Sequence, residues 1–314
     1  MRWIFWLSLI LLIGTEAIEI IFVEQPTEKI NEVKKFVEKM KKSRQITLIT
    51  KIQEILNLHN LIQFKLKADY PKIRFFIGVD ATGNTSMSNT HHGIEIDGAS
   101  GITIGGTTSS SRNIISSNKG GAGSNSSGLY ISAGNNTKIY GNYIGLGTDG
   151  NTSLGNGNNG IQLLASTGVE VGSSVSGTGN VISASIADAG VRVGNANDVP
   201  NASTVTIRGN IMGANSAMSL AIGNKFSCIA VLAGSSATIG GTGANDRNYL
   251  YGTTNGTGIH IWKALTGGVS VKGNTIGGSG LGNSDNGITF SCSSGEIIGA
   301  VSYTHLTLPT NREV

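Results

Sequence analysis

From residue 93 to residue 291 apolar positions come in pairs separated by one variable residue. The pattern G-[apolar]-x-[apolar] begins at Gly93, Gly128, Gly160, Gly190, Gly258 and Gly287, and once with Cys228 in place of the glycine. The pairs are Ile94/Ile96, Leu129/Ile131, Ile161/Leu163, Val191/Val193, Ile229/Val231, Ile259/Ile261 and Ile288/Phe290, while the residue inside each pair varies freely. Strict alternation of this kind predicts short strands with one buried face. A second strand is expected eight residues after the first inward residue, with inward pairs Ile102/Ile104, Thr137/Ile139, Val169/Val171, Ala237/Ile239 and Glu296/Ile298. Val205/Ile207 and Val269/Val271 reach the same place after short insertions.

A third strand is marked by Asn113, Asn142, Asn180, Asn210, Asn248 and Asn274, at intervals of 29, 38, 30, 38 and 26 residues, each followed two places later by an aliphatic residue or Met. The gap between the second strand and the asparagine alternates between long and short, so the sequence repeat is a pair of coils. Gly78, Gly145, Gly213 and Gly277 mark that pair with steps of 67, 68 and 64. A period of this length, holding about six short strands and no helical periodicity, predicts an all-β fold, a parallel β-helix (solenoid) of about seven coils. Parallel rungs roughly 4.8 Å apart would make a rod about 30 Å long.

Composition supports the corners this architecture needs. Of 46 glycines, 45 lie between residues 76 and 299, where Gly, Asn, Ser and Thr supply left-handed and turn conformations. One asparagine returning to one corner in every coil can pass amide hydrogen bonds along the axis, satisfying polar groups otherwise buried without partners. The six asparagines are therefore expected to be a structural ladder.

"GNYIGLGTDGNTSLGNGNNGIQL" followed by "GNVIS", with "GITIGGTTSSSRNIISSN" in the preceding unit, resembles the repeat of bacterial right-handed parallel β-helix proteins, whose fold is that of pectate lyases. The resemblance covers residues 76–299. It implies a secreted or cell-surface repeat protein, and it settles architecture rather than chemistry, because this fold carries both enzymes and inert stalks.

The ends of the chain read differently. Met1 and Arg2 precede an apolar run from Trp3 to Gly14, so residues 1–17 are expected to be a secretory signal peptide, or an uncleaved anchor that would be the chain's membrane contact. Residues 18–75 carry Ile30, Val33, Phe36, Val37 and Met40 on one helical face among lysines, and this helical segment reads either as a cap over the first coil or as foreign sequence joined near Phe75. Residues 300–314 include "VSYTHLTLPT", which resembles a translated sequencing adaptor, so a truncated helix ending near Gly299 is expected and Tyr303 and His305 are set aside as site candidates.

Charge sharpens the picture. Residues 1–75 hold 13 Lys and Arg against 8 Asp and Glu, whereas the rest holds 10 against 11. The basic excess therefore belongs to the N-terminal segment, no basic stripe follows the coils, and no nucleic-acid partner is expected. Cys228 and Cys292 sit at unlike positions two coils apart, a poor geometry for a disulfide, and no Cys and His pattern has metal-ligand spacing. Asp80 and Asp149 stand in long corner loops whose oxygen-rich turns suit calcium, although the D-x-D-x-D-G density of a calcium loop is missing and Asx turns account for both aspartates.

Chemistry must then come from the outer face of the first strands. One outward column reads Glu95, Tyr130, Gln162, Arg192, Ala230, His260, Thr289, and its neighbour reads Asp97, Ser132, Leu164, Gly194, Leu232, Trp262, Ser291. Glu95 and Asp97 form the close acidic pair, a catalytic candidate for glycoside hydrolysis by paired carboxylates. Tyr130, His260 and Trp262 are candidates for stacking on a sugar ring. The clustered aspartates of polygalacturonases and the calcium-site aspartates of pectate lyases are not found. The expected function is accordingly a stalk or adhesive surface, extracellular or on the cell surface, contacting polysaccharide or cell envelope. The alternative is a carbohydrate-active enzyme, a lyase or glycoside hydrolase, or a polysaccharide-binding module on the same face. Oligomeric state is left open.

Overall fold

The computed structural model describes residues 74–302 apart from 121–124, 196–201, 265–267, 279, 292–295 and 299–300, together with three strands nearer the N-terminus. The chain divides into two compact units, Met1–Ile73 and Arg74–Val314. In the first, Leu7–Ile13 pairs antiparallel with Glu16–Phe22, which also pairs with Gln63–Phe64. Part of the expected signal peptide thus lies in a hairpin; Ile30, Val33, Phe36, Val37 and Met40 of the expected helical face fall outside the described residues, as do Cys292, Tyr303 and His305. Among the described residues no helix is long and apolar enough to cross a membrane.

The second unit is an all-β parallel solenoid of about six turns. Each turn passes through three sheets of seven, seven and eight strands, and every neighbour in a sheet is one turn away in sequence. The first sheet begins with Ile94–Asp97 and ends with Ile288–Ser291; the second runs from Thr103–Gly105 to Glu296–Ile298; the third from Phe76–Ile77 to Val301–Ser302. The seven inward pairs of the first strands fall into one continuous register, as the alternation predicts. Together with the inward residues of the other two sheets they build a single aliphatic core in which Leu129, Ile161, Val191, Ile229 and Ile259 stack fully buried along the axis. Each such side chain contributes roughly 1.5–3 kcal/mol by leaving water.

One strand is off by a residue. Val271 aligns with Ile297 and Lys272 with Ile298, so Glu296/Ile298 is not the inward pair. Glu296 lies outside, its carboxylate 2.7 Å from Lys272 Nζ. Because side chains alternate, this slip turns every residue of the strand to the other face.

The third sheet holds the main departure from a simple three-sided coil. Its strands bury residues on both faces: Ile115, Ile144, Ile182 and Met212 point into the core, while Ile114, Tyr143 and Val181 belong to a separate apolar cluster with Val79, Leu146, Leu154 and Ile222. The latter four come from the long corner loops at residues 78–92, 145–159 and 213–227, which double back on themselves through the antiparallel bridges Val79↔Ser86, Leu146↔Ser153 and Ala214↔Ala221. Successive loops also touch: Thr148 N–H donates to Gly83 O at 3.0 Å and Ser216 N–H to Gly150 O at 2.9 Å. The corners therefore form a cover that gives the solenoid a second apolar layer.

Candidate functional site

The corner asparagines form the ladder that their recurrence predicts. Asn113 Nδ2 donates to Asn142 Oδ1 at 2.9 Å, and the same contact repeats from Asn142 to Asn180 at 3.1 Å, Asn180 to Asn210 at 2.9 Å, Asn210 to Asn248 at 3.0 Å and Asn248 to Asn274 at 2.9 Å. Each acceptor oxygen also takes the backbone N–H of the preceding asparagine. The second amide hydrogen of Asn142, Asn180, Asn210, Asn248 and Asn274 is available to a carbonyl in the second sheet, Ile104 O, Ile139 O, Val171 O, Ile207 O and Ile239 O respectively. Phe75, standing where the repeat calls for another asparagine, donates its N–H to Asn113 Oδ1 at 3.0 Å.

Two further polar ladders escaped the sequence reading. At the next corner Asn89 Nδ2 donates to Asn118 Oδ1 at 2.8 Å, and Asn118 Nδ2 donates to Asn156 Oδ1 at 2.9 Å. The column continues through Ser185, Asn224, Thr253 and Asn283, where only the backbone N–H groups of Ser185 and Thr253 reach the next asparagine. A serine column at the corner between the first and second sheets joins Gly134 N–H to Ser166 Oγ, Ser166 N–H to Ser203 Oγ and Ser203 N–H to Ser235 Oγ at 3.0–3.1 Å. The spacing of these residues was readable, but mixed Asn, Ser and Thr dilute it.

On the outer face of the first sheet the predicted column is in register: Glu95 aligns with Tyr130, then Gln162, Arg192, Ala230, His260 and Thr289. Glu95 and Asp97 are exposed at one end. Beside them His92, which the sequence reading passed over, stacks on Tyr130 with ring centroids 4.4 Å apart and planes 14° from parallel. Its Nδ1 accepts the backbone N–H of Ser127 at 2.9 Å, which assigns the hydrogen of the neutral ring to Nε2. Burial holds His92 below its ordinary range against the opposing pull of the Glu95 charge. Burial also raises the Tyr130 phenol, with Glu95 and Asp97 adding to the effect.

Two to four rungs beyond Tyr130, roughly 10–19 Å along the axis, lies a second group. Arg192 pairs with Asp188 and donates to Asn195 Oδ1 at 3.2 Å. His260 meets Phe226 edge to face at 5.3 Å, and burial lowers its basicity while the Asp188 charge works the other way. Trp262 packs against Ala189, Ala230 and Leu232, and Lys263 Nζ lies 4.5 Å from its ring centroid. The fold thus joins Tyr130 to Glu95 and Asp97, joins His260 to Trp262 by strand, and holds the two groups apart.

The corner aspartates serve their own loops. Asp80 Oδ1 accepts Thr82 Oγ1–H at 2.8 Å and Thr85 N–H at 3.2 Å, and Asp149 accepts Asn151 N–H, Thr152 N–H and Thr152 Oγ1–H at 2.6–2.9 Å. These bonds lower both carboxyls, with the Thr82 hydroxyl the main influence at Asp80 and partial burial the chief opposing one at Asp149. Asn215 fills the same role in the third loop through Ser219 N–H and Leu220 N–H. Among the described residues no three His, Cys, Asp or Glu side chains converge. Cys228 is a free, buried thiol, pushed up to about 12 by burial.

The chain thus folds as a parallel β-solenoid, consistent with a β-helix repeat and defined by its three sheets and axial ladders. No family model, no curated protein and no solved structure matches it.

Proposed function

We propose that this protein is a rigid surface-displayed rod that acts as a stalk or adhesive element outside the cell. The observation that carries the reading is the unbroken asparagine ladder from Asn113 to Asn274. It links consecutive coils by side-chain as well as backbone hydrogen bonds, and the stacked corner loops add a second set of inter-coil contacts. A body joined in this way resists local opening and holds its outer columns at fixed spacing, which suits mechanical extension and repeated weak contacts.

The alternative is a carbohydrate-active or polysaccharide-binding face, and the His92–Tyr130 stack beside Glu95 and Asp97 is what favours it. One experiment separates the two. The purified chain is incubated with a panel of acidic polysaccharides while unsaturated or reducing-end product and co-sedimentation are followed together. The stalk or adhesive reading expects no product, with or without binding. Product that disappears in the Glu95→Ala, Asp97→Ala double variant would overturn it.

A further inference from the structure

The three corner loops are copies of one element, so each tests what is special about the others. Residues Thr85 and Thr152 occupy the position that Leu220 fills in the third loop, and His91 and Asn158 the position of Phe226. On the short coil between the second and third loops, Ile186 stands where neighbouring coils carry Lys119 and Thr254; Ile186 N–H donates to Asn156 O just as Thr254 N–H donates to Asn224 O. At this one corner three polar positions have become apolar. All three side chains are left in solvent, at 49% exposure for Ile186, 51% for Leu220 and 39% for Phe226. The buried cover layer does not require them, since Ile222 and Leu154 already supply it.

Two of these residues line a groove of about 440 Å3 between the second and third loops. Ala184 and Ile222 deepen its apolar side, Asn151, Ser153 and Thr254 offer polar groups, and Lys225 stands at its margin. No carboxylate lines it, and the Lys225 ammonium has no partner among the described residues. Ser185, 3% exposed, also lines the groove, and its hydroxyl has no hydrogen-bond partner. A comparable hollow near Arg247 and Lys272 is different in kind, because it continues the column in which the loop at 241–246 already rests on the loop at 173–177, through Asn245 Nδ2 and Ser174 O.

We propose that this groove is a docking site for an extended peptide segment that presents an aliphatic side chain next to a carboxylate. The aliphatic side chain covers Ile186 and Leu220, and the carboxylate meets Lys225. Asn151 Oδ1 already accepts Asn215 Nδ2–H and the Thr254 hydroxyl donates to Lys225 O, but Asn151 Nδ2, Ser153 Oγ and the lone pairs of Thr254 Oγ1 suit a peptide backbone, which brings its own donors and acceptors, better than a plain hydrocarbon chain. The charge complementarity sets the sign of the partner. The site stands apart from the outer face of the first sheet, so it is independent of whether that face engages polysaccharide.

The test uses the full chain, 15N-labelled, titrated with three probes: a capped tripeptide of leucine, glutamate and leucine, the same peptide with lysine at its centre, and octanoate. The glutamate peptide is expected to give saturable amide shifts at residues 184–186 and 220–225, and to bind better than the lysine peptide. Lys225→Glu should weaken the glutamate peptide about tenfold, the scale of one charge reversal at a partly exposed contact, and invert the preference. Ile186→Thr with Leu220→Thr should abolish the shifts; both changes restore residues the repeat itself carries there, and an unchanged thermal midpoint verifies folding. Absence of saturable shifts at millimolar glutamate peptide overturns the proposal. So does equal binding of the two peptides that Lys225→Glu leaves unaltered, and so does saturation of the groove by octanoate alone.

Discussion

The backbone N–H of Ser185 donates to Asn224 Oδ1 at 3.1 Å, but the Ser185 hydroxyl, buried at the same corner, has no partner. One coil pair earlier Asn118 fills the equivalent place and bonds Asn156 through both its backbone N–H and its side chain, at 3.1 and 2.9 Å. The second ladder is thus interrupted where a serine is too short to span the rung.

Ser185→Asn is therefore expected to stabilise the solenoid. One new net hydrogen bond and one relieved buried polar atom amount to about 1 kcal/mol, or an increase in midpoint of roughly 2–4 °C for a domain of this size. Differential scanning calorimetry measures it, and a lowered midpoint would show that the corner lacks room for the longer amide.

Within the complete ladder the effect runs the other way. Asn180 accepts Asn142 N–H and Nδ2–H, and donates to Asn210 Oδ1 and Ile139 O. Asn180→Ala strands these groups in a dry interior and is expected to cost about 2–4 kcal/mol. Asn283→Ala, in a less enclosed rung, should cost well under half as much by urea denaturation.

Two glycines with nearly the same backbone geometry should respond differently to alanine. Gly145 has φ +85 and an added Cβ would lie 1.9 Å from Ser183 O, whereas Gly101 has φ +72 with nothing within 4 Å. Gly101→Ala carries the left-handed strain alone, about 1 kcal/mol. Gly145→Ala must also push two rungs apart and is expected to lose 3 kcal/mol or more, approximately, or to prevent folding. Similar losses in the two variants would show that the corners yield easily.

His92 predicts a pH dependence. Its folded form is held neutral, below the ordinary value of 6.5, first by burial. Between the folded and unfolded values the unfolded chain binds more protons, so stability is complete above the unfolded value and declines as pH falls below about 6.5. His260 shifts in the same direction for the same leading cause. His92→Asn keeps an acceptor for Ser127 N–H, as Asn159 does for Ala189 N–H at 3.1 Å, and removes one titrating ring. Its midpoint should vary less than the parent's between pH 7.5 and 5.5; equal slopes would place the effect elsewhere.

Much of this architecture was legible in the chain because one-sided burial writes itself into alternation. The seven inward pairs of the first strands and the six asparagines stand in the places their spacing implies. Glu296 departs from its expected inward place because a fixed offset of eight residues cannot see a register, and the Lys272 ion pair lies in another coil. The outer apolar layer was legible in part: Ile114, Tyr143, Val181 and Ile211 each follow a ladder asparagine, yet what covers them comes from loops with no strand periodicity.

The solenoid, its three strands per turn, its two-coil repeat and its asparagine corner are thus written in the chain, since each is a local preference repeated until it can be counted. That long corners fold back over the third sheet, that His92 rests on Tyr130 beside Glu95 and Asp97, and that Ile186, Leu220 and Lys225 border one groove follows from the stacked coils alone. Those relations join residues whose separation in the chain carries no information about their distance, because stacking of coils, rather than any local propensity, brings them together.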